Sequence, residues 1–459
     1  MRAALARPTR TRTTRRPVTT ALPFDGQYMH DLARRLWPIH RSITGDGVRQ
    51  TLSILQAELP GLTIHEVPTG SQVFDWTVPD EWAIRGAQLI DPDGEVVVDY
   101  ANSNLHVVGY STPVDIEINL DDLQPHLHSI PEQPDAIPFV TSYYHRTWGF
   151  CLPHSVREAL KPGTYRAVID ATLEPGSLTY GELILPGEVD DEIFLSTYVC
   201  HPSLANNELS GPVVATGLAR WLMQLPNRHY TYRIAFTPES IGAVTYASRN
   251  LDALRDNVIA GFQLTCIGDD RAHTYLASRL GNTRIDRISK RVLASRENVV
   301  TYSYLGRGSD ERTYGAAGID LPFVSLMRSR YGDYPEYHTS LDDLDHVVTP
   351  SGLQGGLDVI RECIETLERE PVLVATKYAE PQLGKRGLYH TMLNKNTSDE
   401  VMLRTNILAY ADGQHAISDM AELFEEDIET LVAMVQELVD HDLIRLEYQS
   451  NRLRAGAEN

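Results

Sequence analysis

Ile193-Phe194-Leu195-Ser196-Thr197-Tyr198-Val199 runs directly into Cys200-His201-Pro202-Ser203-Leu204-Ala205-Asn206-Asn207-Glu208-Leu209-Ser210-Gly211. The apolar run has acids before it and His201-Pro202 after it, the pattern of a strand buried on both faces. Beyond the polar segment, Val214, Leu218, Trp221, Leu222 and Leu225 fall on one face of a helix. The alternation continues downstream, with strands predicted at 232–236, 258–267 and 321–326 and a long helix at 350–368. It predicts an α/β domain with a largely parallel, doubly wound sheet covered on both faces. Such sheets bind ligands beyond the carboxyl ends of their strands, so chemistry is expected from Cys200 onward.

Upstream, residues 28–59 read as helical, with Leu32, Leu36 and Ile39 at helical spacing, a break at Thr44-Gly45-Asp46-Gly47, then Leu52 and Leu55. From 66 to 169, short apolar runs such as Val96-Val97-Val98 alternate with turns such as Asp91-Pro92-Asp93-Gly94. This β-rich segment reads as an insertion into an α/β domain assembled from 22–65 and 170–370. Residues 385–459 read as a separate winged-helix unit, with helices at 400–410, 417–424 and 427–441, a strand at 443–447 and a return through Arg452-Leu453-Arg454. Residues 1–21 carry Arg2, Arg7, Arg10, Arg12, Arg15 and Arg16 and no acid, and read as a disordered basic tail.

With 459 residues, 42% of them hydrophobic and 22% charged, the chain can bury a large core. Asp and Glu outnumber Lys and Arg by 62 to 41, a formal charge of −21, so neither nucleic acid nor an anionic membrane is expected as a partner. The third helix of the winged-helix unit is ringed by Glu425, Glu426, Asp427, Glu429, Glu437, Asp440 and Asp442, with no Lys or Arg between 425 and 442. Phosphate contact there would be repulsive, which leaves a protein contact, compatible with a homo-oligomer. No apolar run approaches the roughly 20 residues of a membrane span, and no apolar stretch follows the basic start as a secretory signal requires. Cys151, Cys200, Cys266 and Cys363 are scattered without a CxxC pair. Disulfides and cysteine ligation of a metal are therefore not expected, and a cytoplasmic setting is.

Three polar segments fall at strand ends: the one beginning at Cys200, then Thr237-Pro238-Glu239-Ser240-Ile241-Gly242, then Glu336-Tyr337-His338-Thr339-Ser340-Leu341-Asp342-Asp343. A lone histidine is more often a core residue than a ligand. Two histidines and two carboxylates at strand ends of one α/β domain are instead the donors a catalytic zinc takes, with one position left open.

The order His…Asn-Asn-Glu-Leu-Ser-Gly, then Pro-Glu-Ser-Ile-Gly, then Tyr-His-Thr-Ser-Leu-Asp resembles that of the M28 zinc aminopeptidases. From about residue 25 onward the chain is more closely similar to a bacterial family that joins an aminopeptidase-like domain, an inserted β domain and a C-terminal winged helix. The phrases that carry this closer match are Arg41-Ser42-Ile43-Thr44-Gly45-Asp46-Gly47, Trp148-Gly149-Phe150-Cys151 and Ser309-Asp310-Glu311-Arg312. The resemblance implies a zinc-dependent hydrolase of peptide or amide bonds acting on a small substrate, with Glu239 as general base. It also marks departures: Asn207 stands at the metal-bridging aspartate position, Ser240 replaces a glutamate ligand, and Thr265 replaces a strand-end aspartate. Too few carboxylates remain to neutralise two dications, so one Zn²⁺ per chain is expected, held by His201, His338 and a third donor. Glu208 is the preferred third donor because an anionic oxygen binds Zn²⁺ better than an amide; Asn207 and Asp310 stay open. Glu239 would take a water proton and pass it to the leaving amine.

Arg312, Arg328 and Arg330 are candidates to bind a substrate carboxylate, and Tyr144 and Trp148, with Tyr143 and His145 beside them, to line a pocket. Asp342, with Asp343, is a candidate to orient His338, and Asp310 to support the site. Two alternatives share the fold: a single-zinc acyl transferase or cyclase, and a non-catalytic binding protein derived from a peptidase. The substitutions at Asn207, Ser240 and Thr265 favour the binding protein; His201, Glu239 and His338 favour an enzyme.

Overall fold

In a computed structural model of the chain, residues 24–143, 145–389 and 395–450 are described; the expected basic tail, Tyr144 and the return at 452–454 lie outside them. The decisive stretch is the strand Glu192–Tyr198, buried throughout. Ile193 and Leu195 enter a core on one side of the sheet, and Phe194 and Tyr198 enter a second core on the other, as the two-residue period of a strand requires. Eight strands form the sheet, in the order Thr63–Pro68, Ser177–Leu185, Thr231–Thr237, Glu192–Tyr198, Val258–Leu264, Phe323–Met327, His273–Leu276 and Val299–Tyr302.

The sheet is mixed rather than largely parallel. Glu192–Tyr198 is parallel to both neighbours and Val258–Leu264 to Phe323–Met327. Thr63–Pro68, Ser177–Leu185 and Thr231–Thr237 are antiparallel in turn, and His273–Leu276 runs against Phe323–Met327. The links from Leu185 to Glu192 and from Leu264 to His273 are too short for a crossover helix, so the chain reverses there. The helices Gly26–Leu36, Ser210–Gln224 and Pro350–Arg369 cover one face, with Met29, Leu218 and Leu357 in the first core. The second face packs against helix Ile241–Asn257 and the inserted sheet, where Tyr246, Leu254, Trp82 and Leu89 share a core with Phe194.

The inserted sheet is antiparallel, ordered Val96–Asp99, Glu81–Ile90, Thr164–Glu174, Val114–Asn119. Its flanking strands, Thr63–Pro68 and Ser177–Leu185, pair with each other inside the main sheet, so the insertion hangs from one sheet edge. A segment of it reaches across to the late histidine loop. Phe139 N–H donates to the His338 carbonyl at 2.8 Å, and Ser340 N–H donates to the Ile137 carbonyl at 2.9 Å. The C-terminal unit has helices Lys395–Ala409, Ile417–Phe424 and Ile428–Asp440. Its three-stranded sheet takes the middle strand from Val372–Ala375, between Asp412–Ala416 and Ile444–Glu447, upstream of the start expected at 385. Among the described residues no helix is long and apolar enough to cross a membrane.

Helix Ser210–Gln224 lies close against the sheet beneath the strand ends. A Cβ on Gly211 would meet the Leu264 carbonyl oxygen and Thr197 Oγ1, each at 2.3 Å. Gly211→Ala is therefore expected to lower stability by about 1–3 kcal/mol through overpacking. Urea unfolding checks this, and an unmoved midpoint would mean that the helix can slide away from the sheet.

Candidate metal centre

The strand Glu192–Tyr198 delivers His201 to the end of the sheet, where it is 4% exposed. The chain then makes a wide turn over Ala205–Leu209, closed by Leu209 N–H on the Leu204 carbonyl, before helix Ser210–Gln224 begins. Such widened turns recur at functional sites. Asp342 holds this one, accepting from the N–H of Asn206 at 2.7 Å and of Asn207 at 2.9 Å, with Tyr334 Oη–H donating to it at 3.0 Å. Burial pushes the Asp342 carboxyl up to about 7 against those donors.

His201 is gripped from both sides. Nδ1–H donates to Glu208 Oε2 at 2.7 Å, and Nε2 lies 3.6 Å from Glu239 Oε2. Behind Glu208 stands Arg41, fully buried. Its Nε is 3.5 Å from Glu208 Oε1, and its guanidinium donates to the carbonyls of His201, Leu36 and Pro202. Burial by itself would lower the His201 imidazole, but the hydrogen bond and charge of Glu208, aided by Glu239, hold it above its ordinary value.

Glu239 lies two residues beyond the strand Thr231–Thr237, with its side chain 24% exposed. Its N–H donates to Cys200 Sγ at 3.1 Å, and its Oε1 accepts from Ser309 Oγ at 3.1 Å. Burial raises its carboxyl, with the His201 charge opposing. The loop Ser309-Asp310-Glu311-Arg312 is used in full. Asp310 Oδ1 accepts from Ser240 N–H at 2.7 Å, and Arg312 bonds to the Ser240 hydroxyl. Glu311 pins the loop through Gly308 N–H, Ser309 N–H and Tyr331 Oη–H. Burial, then the nearby Glu239 charge, holds Asp310 well above the usual carboxylate range.

The rings of His338 and His201 are 5.7 Å apart, with Phe139 at 5.2 Å from the first and 5.0 Å from the second. Tyr337 stacks on His338 at 3.9 Å. Burial, then the His201 charge, drops the His338 imidazole to about 3, so it is neutral. Its buried Nε2 has no hydrogen-bond partner, and neither have Asn207 Oδ1 and Asp310 Oδ2. Asn207 Oδ1 is an acceptor, and His338 Nε2 and Asp310 Oδ2 accept when they carry no proton, beside carboxylates whose charge burial disfavours. That donor chemistry fits a cation.

The structure thus gathers His201, Glu208, Glu239, Asp310 and His338, with Arg312 on Ser240 beside Glu239. Tyr143 lies within charge range of Cys200, Glu239 and Glu208, but several other residues singled out in the sequence go elsewhere. Arg328 Nη1 contacts His273 Nε2 at 3.0 Å, and Arg330 pairs with Asp333. Trp148 stacks on His126 at 3.8 Å inside the insertion. Asp342 serves the Asn206-Asn207 turn instead of His338, and Asp343 accepts from the N–H groups of Asp345 and His346. The sequence reading missed Phe139, which no periodicity marks, and quoted Arg41 only within a family phrase, without a role. It also set Cys200 aside. Yet Cys200, His201 and Glu208 place one ligand atom each within 4.8 Å of one another and could coordinate a metal ion. Burial holds the Cys200 thiol well above its ordinary value, and Glu208 already occupies the Nδ1 side of His201.

The mixed α/β sheet is related in fold to those of zinc aminopeptidases. A zinc aminopeptidase from Bacillus subtilis superposes with a TM-score of 0.54 over 75% of this chain and 95% of that one, at 14% identity. Residues 30–370 match the family described as "Domain of unknown function (DUF4910)", and residues 371–446 match a winged helix-turn-helix family. The chain belongs to the DUF4910 family, with a C-terminal winged helix. It is 43% identical, over 86% of its length and 91% of the relative's, to a Clostridium acetobutylicum protein named "Putative polysaccharide biosynthesis protein with aminopeptidase-like domain". The crystal structure of a "putative peptidase" from the same organism superposes with a TM-score of 0.77 over 92% of this chain and 96% of that one, at 40% identity.

Arg41 has no other charged partner than Glu208 among its described contacts. Arg41→Ala would leave Glu208 buried without its cation and three carbonyls without a donor, a loss expected to cost about 3–5 kcal/mol. Arg41→Lys should recover only part of it, because an ammonium cannot span those carbonyls as a fork does. Chemical denaturation of both variants checks the ranking, and equal midpoints for wild type and Arg41→Ala would refute it.

Proposed function

We propose that this chain is a single-metal enzyme of amide-bond chemistry that transfers or cyclises an acyl group, with Glu239 as its proton-handling residue. The observation that carries the proposal is the meeting of His201 Nε2 and Glu239 Oε2 at 3.6 Å, where Asn207, Ser240 and Thr265 occupy positions at which the resembling two-metal enzymes place carboxylates. His201 and His338 would hold the ion, with Asn207 Oδ1 or Asp310 as the third donor; Glu208, the donor expected from the sequence, instead sits on the Nδ1 side of His201 and faces Arg41. Zn²⁺ bound there would supply Lewis-acid polarisation of the amide carbonyl.

Glu208 keeps the His201 proton on Nδ1, which leaves Nε2 as the ligating nitrogen, the usual role of a carboxylate behind a metal-binding histidine. Glu239, steadied by Ser309, is placed to accept a proton from the attacking group and return it to the leaving amine. Phe139 and Tyr337 cover the histidines with apolar surface, which disfavours bulk water as the acceptor. The relative's name points the same way, since biosynthesis of a polysaccharide joins groups; an amide on a saccharide would then be the substrate. Hydrolysis of a small peptide or amide is the second reading, favoured by the name of the 40% identical crystal structure, a "putative peptidase". Product analysis in heavy-oxygen water separates them: transfer leaves the acyl product unlabelled, whereas hydrolysis introduces one solvent oxygen.

Elemental analysis after zinc supplementation and mild dialysis is expected to give close to one equivalent of zinc per chain, reduced sharply by His201→Ala or His338→Ala. Two equivalents would refute the single-metal site, and none would favour a binding protein. Glu239→Gln is expected to keep the metal and the fold and to lose about 10²–10⁴ in rate, assayed over amino-acid amides, short peptides and N-acylated amino sugars. Turnover that persists undiminished with zinc bound would remove Glu239 from the chemistry.

A further inference from the structure

A cleft of about 450 Å³ opens where the insertion meets the α/β domain. Trp37, just past helix Gly26–Leu36, forms one wall, and Tyr100, Asn102 and Asn104, just past strand Val96–Asp99, form another. The remaining wall is made by Ser203 and Ser340. Ser203 lies two positions after His201 and Ser340 two after His338, so this wall is built from the segments that follow the two histidines. The seam is tied by Asn104 Nδ2–H donating to Ser203 Oγ at 2.8 Å, Ser203 N–H to Asn104 Oδ1 at 3.2 Å and Ser203 Oγ–H to the Trp37 carbonyl at 2.7 Å. The Ser340 end is tied by Ile137 N–H donating to Ser340 Oγ at 3.0 Å.

The composition of this cleft is unlike that of the other large clefts. Among the described residues no charged side chain lines it, although the chain carries a net charge of −21. The clefts beside the C-terminal unit are lined by Glu365, Glu368 and Glu370, and by Asp190, Asp191 and Asp256. Carboxamides and hydroxyls both donate and accept, as the hydroxyls of a polyol do. Aromatic rings offer apolar faces to the C–H face of a pyranose. The volume lies in the range of small-ligand sites, about 300–1,000 Å³. A peptide terminus would want a countercharge, which this lining does not provide.

We infer that this cleft is a subsite for a neutral saccharide, the sugar portion of an N-acylated amino sugar, held on the seam whose Ser203 and Ser340 follow His201 and His338 in the chain. The inference rests on the proposed amide chemistry and names its substrate class. The cleft grips the sugar ring through the exposed Asn102 and through Tyr100; Asn104 and Ser203 hold the wall in shape.

The test is a titration of the full-length chain with N-acetylglucosamine, followed by saturation-transfer NMR, in zinc-loaded and chelator-stripped protein. Binding is expected in both forms, with Kd weakened roughly three- to tenfold per hydrogen bond lost in Asn102→Ala and in Tyr100→Phe, and with zinc content and thermal midpoint unchanged in Asn102→Ala. No transfer to the sugar, or the same Kd in both variants and wild type, would overturn the subsite. So would leucinamide binding that falls in these variants as the sugar's does, because the cleft would then be a peptide site. Sugar binding without turnover of any amide would strike the enzymatic reading and leave the subsite standing. Amide turnover with sugar binding absent would do the reverse.

Discussion

The buried contact between Arg41 and Glu208 governs the geometry of everything around it. A guanidinium with no exposure is costly unless each donor is met, and here the donors are met by backbone carbonyls at the ends of two different elements. The Leu36 carbonyl closes the first helix, and those of His201 and Pro202 follow the central strand. One side chain thus fixes the N-terminal helix against the strand end and steadies the carboxylate that sets the tautomer of His201. The same segment continues into Thr44, whose Oγ1 meets Tyr110 Oη at 2.7 Å and accepts from Trp82 N–H at 3.1 Å. Sheet, first helix and insertion are joined within a few residues.

Where the aminopeptidase pattern would place acids, this chain places a neutral string. Asn207 Nδ2–H donates to Tyr198 Oη at 2.9 Å, and Thr265 Oγ1–H donates to the Asn207 carbonyl at 3.1 Å. Apart from Asn207 Oδ1, such a string is partnered without a second dication, whereas clustered carboxylates would repel one another in its absence. Strain accumulates at the same place. Ser240, Cys266 and His338 all have positive φ, at 62°, 48° and 57°. Non-glycine residues hold that conformation only where their surroundings over-determine it, typically at functional sites. Asp310 on Ser240 N–H and Phe139 on the His338 carbonyl are two of the contacts that do so here.

Much of this was legible in the sequence, for reasons that differ by element. Glu192–Tyr198, Thr231–Thr237 and Pro350–Arg369 were readable because burial on both faces, or along a helical stripe, leaves a pattern. Strands His273–Leu276 and Val299–Tyr302 were not. They are short, and Val299 and Val300 are exposed at the sheet edge, so neither alternation nor a long apolar run betrays them. The mixed strand directions were hidden because local pattern carries no direction; only link length does. Within the site, His201, Glu239 and His338 were visible as polar residues at strand ends. Trp148 and Arg328 were misplaced because closeness in sequence does not give direction in space. Phe139 was missed because an aromatic in a loop is indistinguishable from ordinary core until the loop's path is known.

That path explains how His338 is held. No carboxylate touches its ring among the described contacts, in contrast to His201, whose orientation comes from Glu208. Its position is set by backbone and packing: Phe139 N–H on its carbonyl, Ile137 and Ser340 joined in both directions, and Tyr337 stacked on the ring. Three of these contacts come from the insertion, which hangs by two strands from the far edge of the sheet. The insertion is therefore part of the site's framework, and a shift of it against the α/β domain would move His338 while leaving His201 in place. Because the cleft lined by Trp37 and Tyr100 lies on that same seam, a ligand seated there would bear on the spacing of the two histidines without touching either ring.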